Sequence, residues 1–142
     1  MRYTIIVVLV LALAACGDGV STMDTPPPAG AAMSAVNEIK PADTLPKVQA
    51  AYSQFVDVRA PEEYAAGHAT RAINIPLDQL QANLDRLERN EPVYLICQTG
   101  RRSKEAADIL AKNGFKWVFT VTGGTAQWQA EGLPIDSPSQ SK

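Results

Sequence analysis

The sequence of 142 residues is poor in the side chains on which metal clusters and disulfide frameworks depend. It contains two cysteines and one histidine, which are too few for a zinc cluster or a disulfide framework. The net charge is −2 at neutral pH, so no basic excess indicates nucleic-acid binding. We therefore expect no metal and no nucleic-acid partner, and the length and composition favour a single globular domain.

The chain also lacks an apolar run long enough to cross a bilayer comfortably, which takes about 17–25 residues. The run from Ile5 to Ala15 follows a short basic start and has the length of the hydrophobic region of a secretory signal peptide. It ends in Leu13-Ala14-Ala15-Cys16, which resembles the lipobox of bacterial lipoproteins. We expect a signal peptide at residues 1–15 and lipidation of Cys16. The alternative is a plain signal peptide in which Cys16 has no role.

Lipidation of Cys16 would anchor the exported protein to a bacterial membrane, on its periplasmic or cell-surface side, by acyl chains such as palmitate. Residues 16–36 are rich in Gly, Pro, Ser and Ala and show no periodicity, which predicts a flexible tether. We expect the folded domain at residues 37–136, with about 100 residues to build a modest core. Residues 137–142 are predicted to be a disordered tail.

Short apolar runs alternate with helical patterns along the predicted domain. The strongest strand candidates are Gln54–Val58, Pro92–Ile96 and Trp117–Val121, and weaker ones are Val36–Ile39 and Ala72–Ile75. The predicted helices are Pro41–Ala51, Pro61–Ala66, Leu77–Arg89, Ser103–Asn113 and Gly123–Ala130. Continuous apolar runs of this length suit strands that are buried on both faces. The alternation predicts an α/β fold, with helices on both faces of a parallel sheet.

A cysteine at the end of one strong strand begins the candidate site. Cys97 follows Pro92–Ile96, and its loop contains Gly100 before a helix starts. Ligands bind at the carboxyl ends of the strands in such sheets. A glycine lets successive amides turn toward one point, and the helix N-terminus adds partial positive charge. This combination favours the thiolate of Cys97, whereas the alternative is a buried, unreactive thiol.

Three basic residues, Arg101, Arg102 and Lys104, lie where the helix after this loop begins. Each is unfavourable there by about 0.3–1 kcal/mol, because a helix N-terminus repels cations. Local conflicts of this kind are expected at functional sites. We expect one of the two arginines to contribute to an anion pocket or to brace the loop, and Lys104 to lie on a solvated helix face.

Three segments of the chain resemble the rhodanese family. They are CQTGRRS from Cys97 to Ser103, VDVRAPEEYAAGH from Val56 to His68 followed by AINIPLDQL, and GGTAQWQAEGLPI from Gly123 to Ile135. The resemblance covers the whole predicted domain. It implies a five-stranded parallel sheet flanked by helices, and a sulfurtransferase that requires no cofactor.

The resemblance also implies a mechanism. The thiolate of Cys97 would attack the outer sulfur of a small anionic donor such as thiosulfate, and the resulting persulfide would pass its sulfur to cyanide or a thiol. Backbone amides from Gln98 to Ser103 would stabilise the charge on the persulfide. By resemblance, Arg102 braces the loop, Arg101 meets the anionic donor, and Gln98 and Thr99 shape donor choice. The substrate-binding set is then Gln98, Thr99, Gly100, Arg101, Arg102 and Ser103.

Further residues are predicted to support this loop. Asp57 and Arg59 match the Asp-Val-Arg of the family, either as a structural ion pair or with Arg59 facing the pocket. Glu63 is a candidate partner of Arg102. His68 belongs to a structural turn of the family and is not expected to take part in chemistry.

The sequence departs from the family pattern after His68. It reads Ala69-Thr70-Arg71, where the family usually has a hydrophobic residue, a proline and a glycine. The departure puts the shape of this turn and the choice of donor in doubt, but not the fold.

Other functions remain open from the sequence. A non-catalytic module that carries sulfur or senses redox state is one alternative. A cysteine-dependent phosphatase or an arsenate reductase is another. The phosphatase loop has five residues between cysteine and arginine, whereas four separate Cys97 from Arg102, and Ile96 replaces the usual histidine.

Overall fold

The computed structural model describes residues 36–138. The strands are β1 (Val36–Ile39), β2 (Gln54–Asp57), β3 (His68–Ala69), β4 (Ile73–Asn74), β5 (Val93–Ile96), β6 (Val118–Val121) and β7 (Ile135–Asp136). The α-helices are α1 (Pro41–Gln49), α2 (Pro61–Ala66), α3 (Leu77–Leu80), α4 (Arg101–Lys112) and α5 (Gly124–Ala130), and a 3₁₀ helix spans Gln81–Arg86.

Five strands form one parallel sheet in the order β1-β6-β5-β2-β4. β3 and β7 form a separate antiparallel pair. The register places Asp57 at the end of β2 beside Ile96 at the end of β5. The segments that follow these two strands therefore leave the sheet at the same edge, where ligands bind in parallel α/β sheets.

The central position of β5 in the sheet explains why its sequence is apolar at every residue and does not alternate. All four of its residues are buried, because helices cover the sheet on both faces. Val93 and Leu95 join a core cluster with Leu80 of α3 and Leu110 of α4. Tyr94 and Ile96 join a second cluster with residues of α1 and α5, Val48 and Trp128. The two clusters are the two sides of a three-layer domain.

The predicted α/β fold with a five-stranded parallel sheet is confirmed. The prediction of one helix over Leu77–Arg89 is wrong, because α3 ends at Leu80 and a 3₁₀ helix follows. Asn83 interrupts helical geometry, with φ −118° and ψ 20°, and its side-chain amide donates to the carbonyl of Gln79 at 2.8 Å. An asparagine that bonds to nearby backbone competes with helix continuation.

Smaller differences concern the ends of elements. Helix α4 begins at Arg101, two residues before the predicted start, and it ends near Gly114, whose φ of 82° fits the predicted left-handed cap. The β3–β7 pair was not predicted, since two-residue strands leave no pattern. The predicted signal peptide, Cys16 and nearly all of the tether lie outside the described residues. Among residues 36–138, no helix is long and apolar enough to cross a bilayer.

Arg71 occupies the turn that departs from the family pattern. The amide of Ala72 donates to the carbonyl of Ala69 at 3.0 Å, and Arg71 between them has φ 74°. A four-residue turn with positive φ at its third position normally takes glycine. The turn keeps this shape because neighbouring groups hold it: the Thr70 amide donates to Pro134 O, and the Tyr64 hydroxyl donates to Ala72 O at 2.6 Å.

Replacing Arg71 by glycine should stabilise the domain by about 1 kcal/mol, since a non-glycine residue pays roughly that cost in the left-handed region. Urea unfolding of the wild type and Arg71→Gly measures the difference. Arg71→Ala is the matched control, because it removes the charge and keeps the backbone cost, so it should show no comparable gain. Equal stabilisation by both variants would contradict the backbone explanation.

Candidate active site

The thiol of Cys97 lies directly after β5, inside the loop that leads to α4. The residue is 1% exposed. The amide of Gly100 donates to Cys97 Sγ at 3.0 Å, and the hydroxyl of Ser103 lies 3.6 Å from the same atom. The Ser103 hydroxyl also donates to Gly100 O at 2.9 Å. The loop thus curls around the sulfur, and Gly100 makes this possible with φ 101°.

The first turn of α5 fixes the other side of this loop. The amide of Thr125 donates to Cys97 O at 2.7 Å, and the amide of Ala126 donates to Gln98 O at 3.1 Å. Gly124 has φ 58°, and a Cβ built on it would lie 2.2 Å from Cys97 O. A side chain at this position would therefore push the two segments apart. The carbonyls of Cys97 and Gln98 are directed at α5, while the amide of Gly100 is directed at the sulfur.

A buried ion pair supports the loop from β2. Asp57 is fully buried and Arg59 is 4% exposed. The Nη2 of Arg59 donates to Asp57 Oδ2 at 2.6 Å and to Gly67 O at 2.8 Å, and its Nη1 donates to Gln98 Oε1 at 3.3 Å. A buried charge pair is tolerated when its remaining polar atoms are also bonded. Of the two predicted alternatives, the structure shows the ion pair, and Arg59 also contacts the loop through Gln98.

Arg102 makes a two-pronged ion pair with Glu63 of α2. Its Nη1 and Nη2 donate to Glu63 Oε2 and Oε1 at 2.6 and 2.8 Å. The Ala60 amide donates to Glu63 Oε2 as well. The hydrogen bonds from Arg102 lower the pKa of Glu63 from 4.5 to about 2, against the opposing effect of burial. The hydrogen bonds to Glu63 in turn raise the pKa of Arg102, against the opposing effect of burial.

The other two cations at the start of α4 differ in their surroundings. Lys104, which we expected on a solvated face, is exposed but pairs with Glu38 of β1 at 2.6 Å. Arg101 and Thr99 are exposed, and Arg101 makes no ion pair with any residue between 36 and 138. Glu38 could not be predicted as the partner of Lys104, because the pair joins segments that meet only through the sheet order.

The side chain of His68 contacts Tyr64. Its Nδ1 is 2.9 Å from Tyr64 O, and its ring stacks on the Tyr64 ring at 3.6 Å. These contacts fit a structural turn. Within the described part of the chain, no three His, Cys, Asp or Glu side chains are grouped to hold a metal ion.

The fold agrees with that of known proteins. Residues 41–131 match the family model described as the rhodanese-like domain. The match spans more than half of the sequence, so the chain belongs to the rhodanese-like family. This family includes sulfurtransferases.

Two curated relatives come from Bacillus subtilis (strain 168). YqhL, an uncharacterised protein, is 42% identical over 76 residues, which are 54% of this chain and 60% of the relative. YrkF, named as a candidate sulfur carrier protein, is 39% identical over 74 residues, which are 52% of this chain and 40% of the relative. This chain thus spans less than two thirds of the length of both.

Solved structures agree with the fold. A rhodanese-related protein from Thermoplasma volcanium is 32% identical with a TM-score of 0.64, over 70% of this chain and 97% of that one. A rhodanese-like domain protein from Staphylococcus aureus is 36% identical with a TM-score of 0.63, over 72% of this chain and 100% of that one.

The lowered pKa of Glu63 predicts a pH-dependent contribution to stability. Because the folded-state pKa is depressed, the contribution is complete above about pH 4.5 and is lost as the pH falls toward 2. Both partners are partly exposed, so we expect only about 1 kcal/mol at pH 7. Glu63→Gln should be less stable than the wild type by this amount at pH 7, and the gap should shrink at pH 3. Urea unfolding at both pH values measures it.

Glu62→Gln is the control for this experiment, because Glu62 is an exposed neighbour on the same helix. It should leave stability nearly unchanged at both pH values. A gap between the wild type and Glu63→Gln that is the same at pH 7 and pH 3 would contradict the assigned ion pair.

Proposed function

We propose that the domain takes up a sulfane sulfur atom on Cys97 as a persulfide and passes it to a thiophilic acceptor, as a sulfurtransferase of the rhodanese type. The observation that carries the proposal is the hydrogen bond from the Gly100 amide to Cys97 Sγ, inside a loop whose first two carbonyls are directed at α5. Such a loop favours negative charge on sulfur. Membership of the rhodanese-like family supports the same chemistry.

The reaction divides into two displacements. The thiolate Sγ attacks the outer sulfur of thiosulfate, a new S–S bond forms at Cys97, and sulfite leaves with the electron pair of the old S–S bond. A cyanide ion or a thiolate then attacks the outer sulfur of the persulfide, and Cys97 leaves as a thiolate. No external oxidant or reductant enters either step. Amides of the loop, Gly100 among them, stabilise the charge on the persulfide.

The surroundings of the thiol suit a small donor. Cys97 is almost fully buried, so a bulky group would have difficulty reaching Sγ. The exposed Arg101 lies at the loop and is available to attract an anion, while Gln98 is held by Arg59. We assign Gln98, Thr99, Arg101 and the loop amides to donor binding. Arg102 and Ser103 hold the loop in shape, because both bond to protein groups.

A second function, delivery of sulfur as a carrier, stands beside the enzymatic one. It is favoured by the similarity to YrkF, which is named as a candidate sulfur carrier protein. The only free thiol that the structure describes is Cys97, so residues 36–138 hold no second cysteine to release the sulfur as an internal disulfide. An outside acceptor must then discharge the persulfide in both functions.

The phosphatase alternative fits the geometry less well. A phosphatase needs its loop arginine free to grip phosphate oxygens, and both terminal nitrogens of Arg102 are engaged by Glu63.

Mass spectrometry of the full chain after exposure to thiosulfate tests the persulfide. We expect the gain of one sulfur atom in the wild type and no gain in Cys97→Ser. Cyanide should then remove the sulfur with thiocyanate released. Repeated turnover would identify an enzyme, and a single stoichiometric release would identify a carrier. Absence of sulfur uptake by the wild type from both thiosulfate and an organic persulfide would refute the proposal.

Location is a separate proposal, supported by the Leu13-Ala14-Ala15-Cys16 sequence. We expect Cys16 to be lipidated and the protein to be held at a bacterial membrane. Expression in a bacterial host with labelled palmitate should give a labelled protein in the membrane fraction. Cys16→Ser should lose the label, whereas Cys97→Ser should keep it. Retention of label in Cys16→Ser would show that the lipidation site is elsewhere or that the label is unspecific.

A further inference from the structure

A cleft with a volume of about 420 Å³ opens beside the loop of Cys97. One wall consists of Thr99, Gly100 and Arg101 of the loop together with Lys104 of α4. The other wall consists of Glu38 of β1 and the residues from Thr120 to Gly123 at the end of β6. Cys97 does not line the cleft. The cleft lies at the carboxyl edge of the sheet, against the outer side of the Cys97 loop.

Gly100 borders both the cleft and the sulfur. Its amide donates to Cys97 Sγ. The atoms nearest to the position of its absent Cβ are Gly123 N at 3.8 Å and Val121 O at 3.9 Å, and both residues line the cleft. One glycine thus separates the nucleophile from the cleft, and a ligand in the cleft would lie against the backbone of the loop.

The charges of the cleft favour an anion. Lys104 and Glu38 compensate each other at 2.6 Å, which leaves Arg101 without an ion-pair partner in the described range. The side chains that line the cleft therefore carry a net charge of about +1 at neutral pH. The Lys104–Glu38 pair also offers both signs of charge, so a ligand that carries an ammonium group as well as a carboxylate could contact each.

The size and polarity of the cleft narrow the class of ligand. Its volume lies in the range of small-molecule sites, about 300–1,000 Å³, and exceeds what an inorganic oxyanion would fill. Hydroxyl groups line it at Thr99, Thr120 and Thr122. Thr120 is 2% exposed, and among residues 36–138 its hydroxyl has only a long contact of 3.5 Å, to Asn37 O. A buried hydroxyl with so long a bond can still bond to a ligand.

We infer that this cleft is a binding site for a small organic carboxylate of about the size of a di- or tripeptide, with Arg101 as the group that binds its carboxylate. The site does not include the sulfur of Cys97, although it shares Thr99 and Arg101 with the proposed donor-binding residues. The inference does not depend on sulfur transfer.

S-methylglutathione is a suitable probe, because it carries two carboxylates and one ammonium group and has no reactive thiol. Titration into the ¹⁵N-labelled full chain should shift the amide signals of Thr99, Gly100, Arg101 and Thr122. Its diethyl ester, in which both carboxylates are replaced by uncharged ester groups, should bind with an affinity lower by about tenfold or more. Arg101→Gln should lower the affinity for S-methylglutathione by a similar factor, whereas Lys112→Gln at the far end of α4 should leave this affinity unchanged.

The two partners of the ion pair give a sharper test. Glu38→Gln leaves Lys104 uncompensated, so it should strengthen binding of the acid. Lys104→Gln leaves Glu38 uncompensated, so it should weaken binding. A purely structural effect of losing the pair would move both variants in the same direction, and that outcome would overturn the inference.

Cys97→Ser separates this inference from the proposed function. It should abolish sulfur uptake and leave the probe bound with unchanged affinity. Loss of binding in Cys97→Ser would place the ligand at the sulfur and refute a separate site. Equal affinity for the acid and the ester, or no shift at the four amides at millimolar probe, would refute it as well.

Discussion

The two hydrogen bonds from α5 to the loop of Cys97 set the orientation on which the site depends. The amides of Thr125 and Ala126 donate to the carbonyls of Cys97 and Gln98. These hydrogen bonds hold both carbonyls toward α5 and away from the sulfur. A carbonyl directed at Sγ would oppose a thiolate, whereas the amide of Gly100 supports it. Gly124 permits the contact because any side chain would collide with Cys97 O. The orientation of the loop around Cys97 Sγ is thus fixed by a helix that begins 27 residues further along the chain.

Side chains hold the same loop from the opposite direction. Arg59 joins the end of β2 to Gln98, and Glu63 joins α2 to Arg102. Each pair bridges 39 residues of sequence, which is possible because β2 and β5 are neighbours in the sheet. The loop is therefore fixed at three points around the sulfur, by α5, β2 and α2. Preorganised groups of this kind stabilise developing charge without reorganising during the reaction.

The sequence predicted those features that a short segment determines by itself. The unbroken apolar run in β5 predicts burial on both faces, and Gly114 marks the end of α4. Contacts between distant segments could not be predicted in this way. Nothing near Gly124 in sequence indicates its approach to Cys97 O, and nothing near Lys104 indicates Glu38. The prediction of one helix over Leu77–Arg89 was wrong because leucines recur at helical spacing there. In the structure α3 ends at Leu80, and Asn83 interrupts helical geometry within the 3₁₀ helix that follows.

The conformation of the turn at Arg71 depends both on the local sequence and on contacts with distant segments. The sequence indicates a departure from the family at this turn, but not whether the backbone changes with it. The structure retains the left-handed residue, because Thr70 and Ala72 are bonded to groups outside the turn. Tertiary contacts therefore impose a conformation that arginine by itself disfavours.

The three cations at the start of α4 differ in their ion-pair partners. Arg102 is neutralised by Glu63, and Lys104 is neutralised by Glu38, so two of the three need not oppose the helix dipole with a full charge. Of the three cations, only Arg101 has no ion-pair partner among residues 36–138. A protein that needed only a stable helix would place an acidic or neutral residue there. The remaining conflict between Arg101 and the dipole is what the proposed binding of an anionic donor would require.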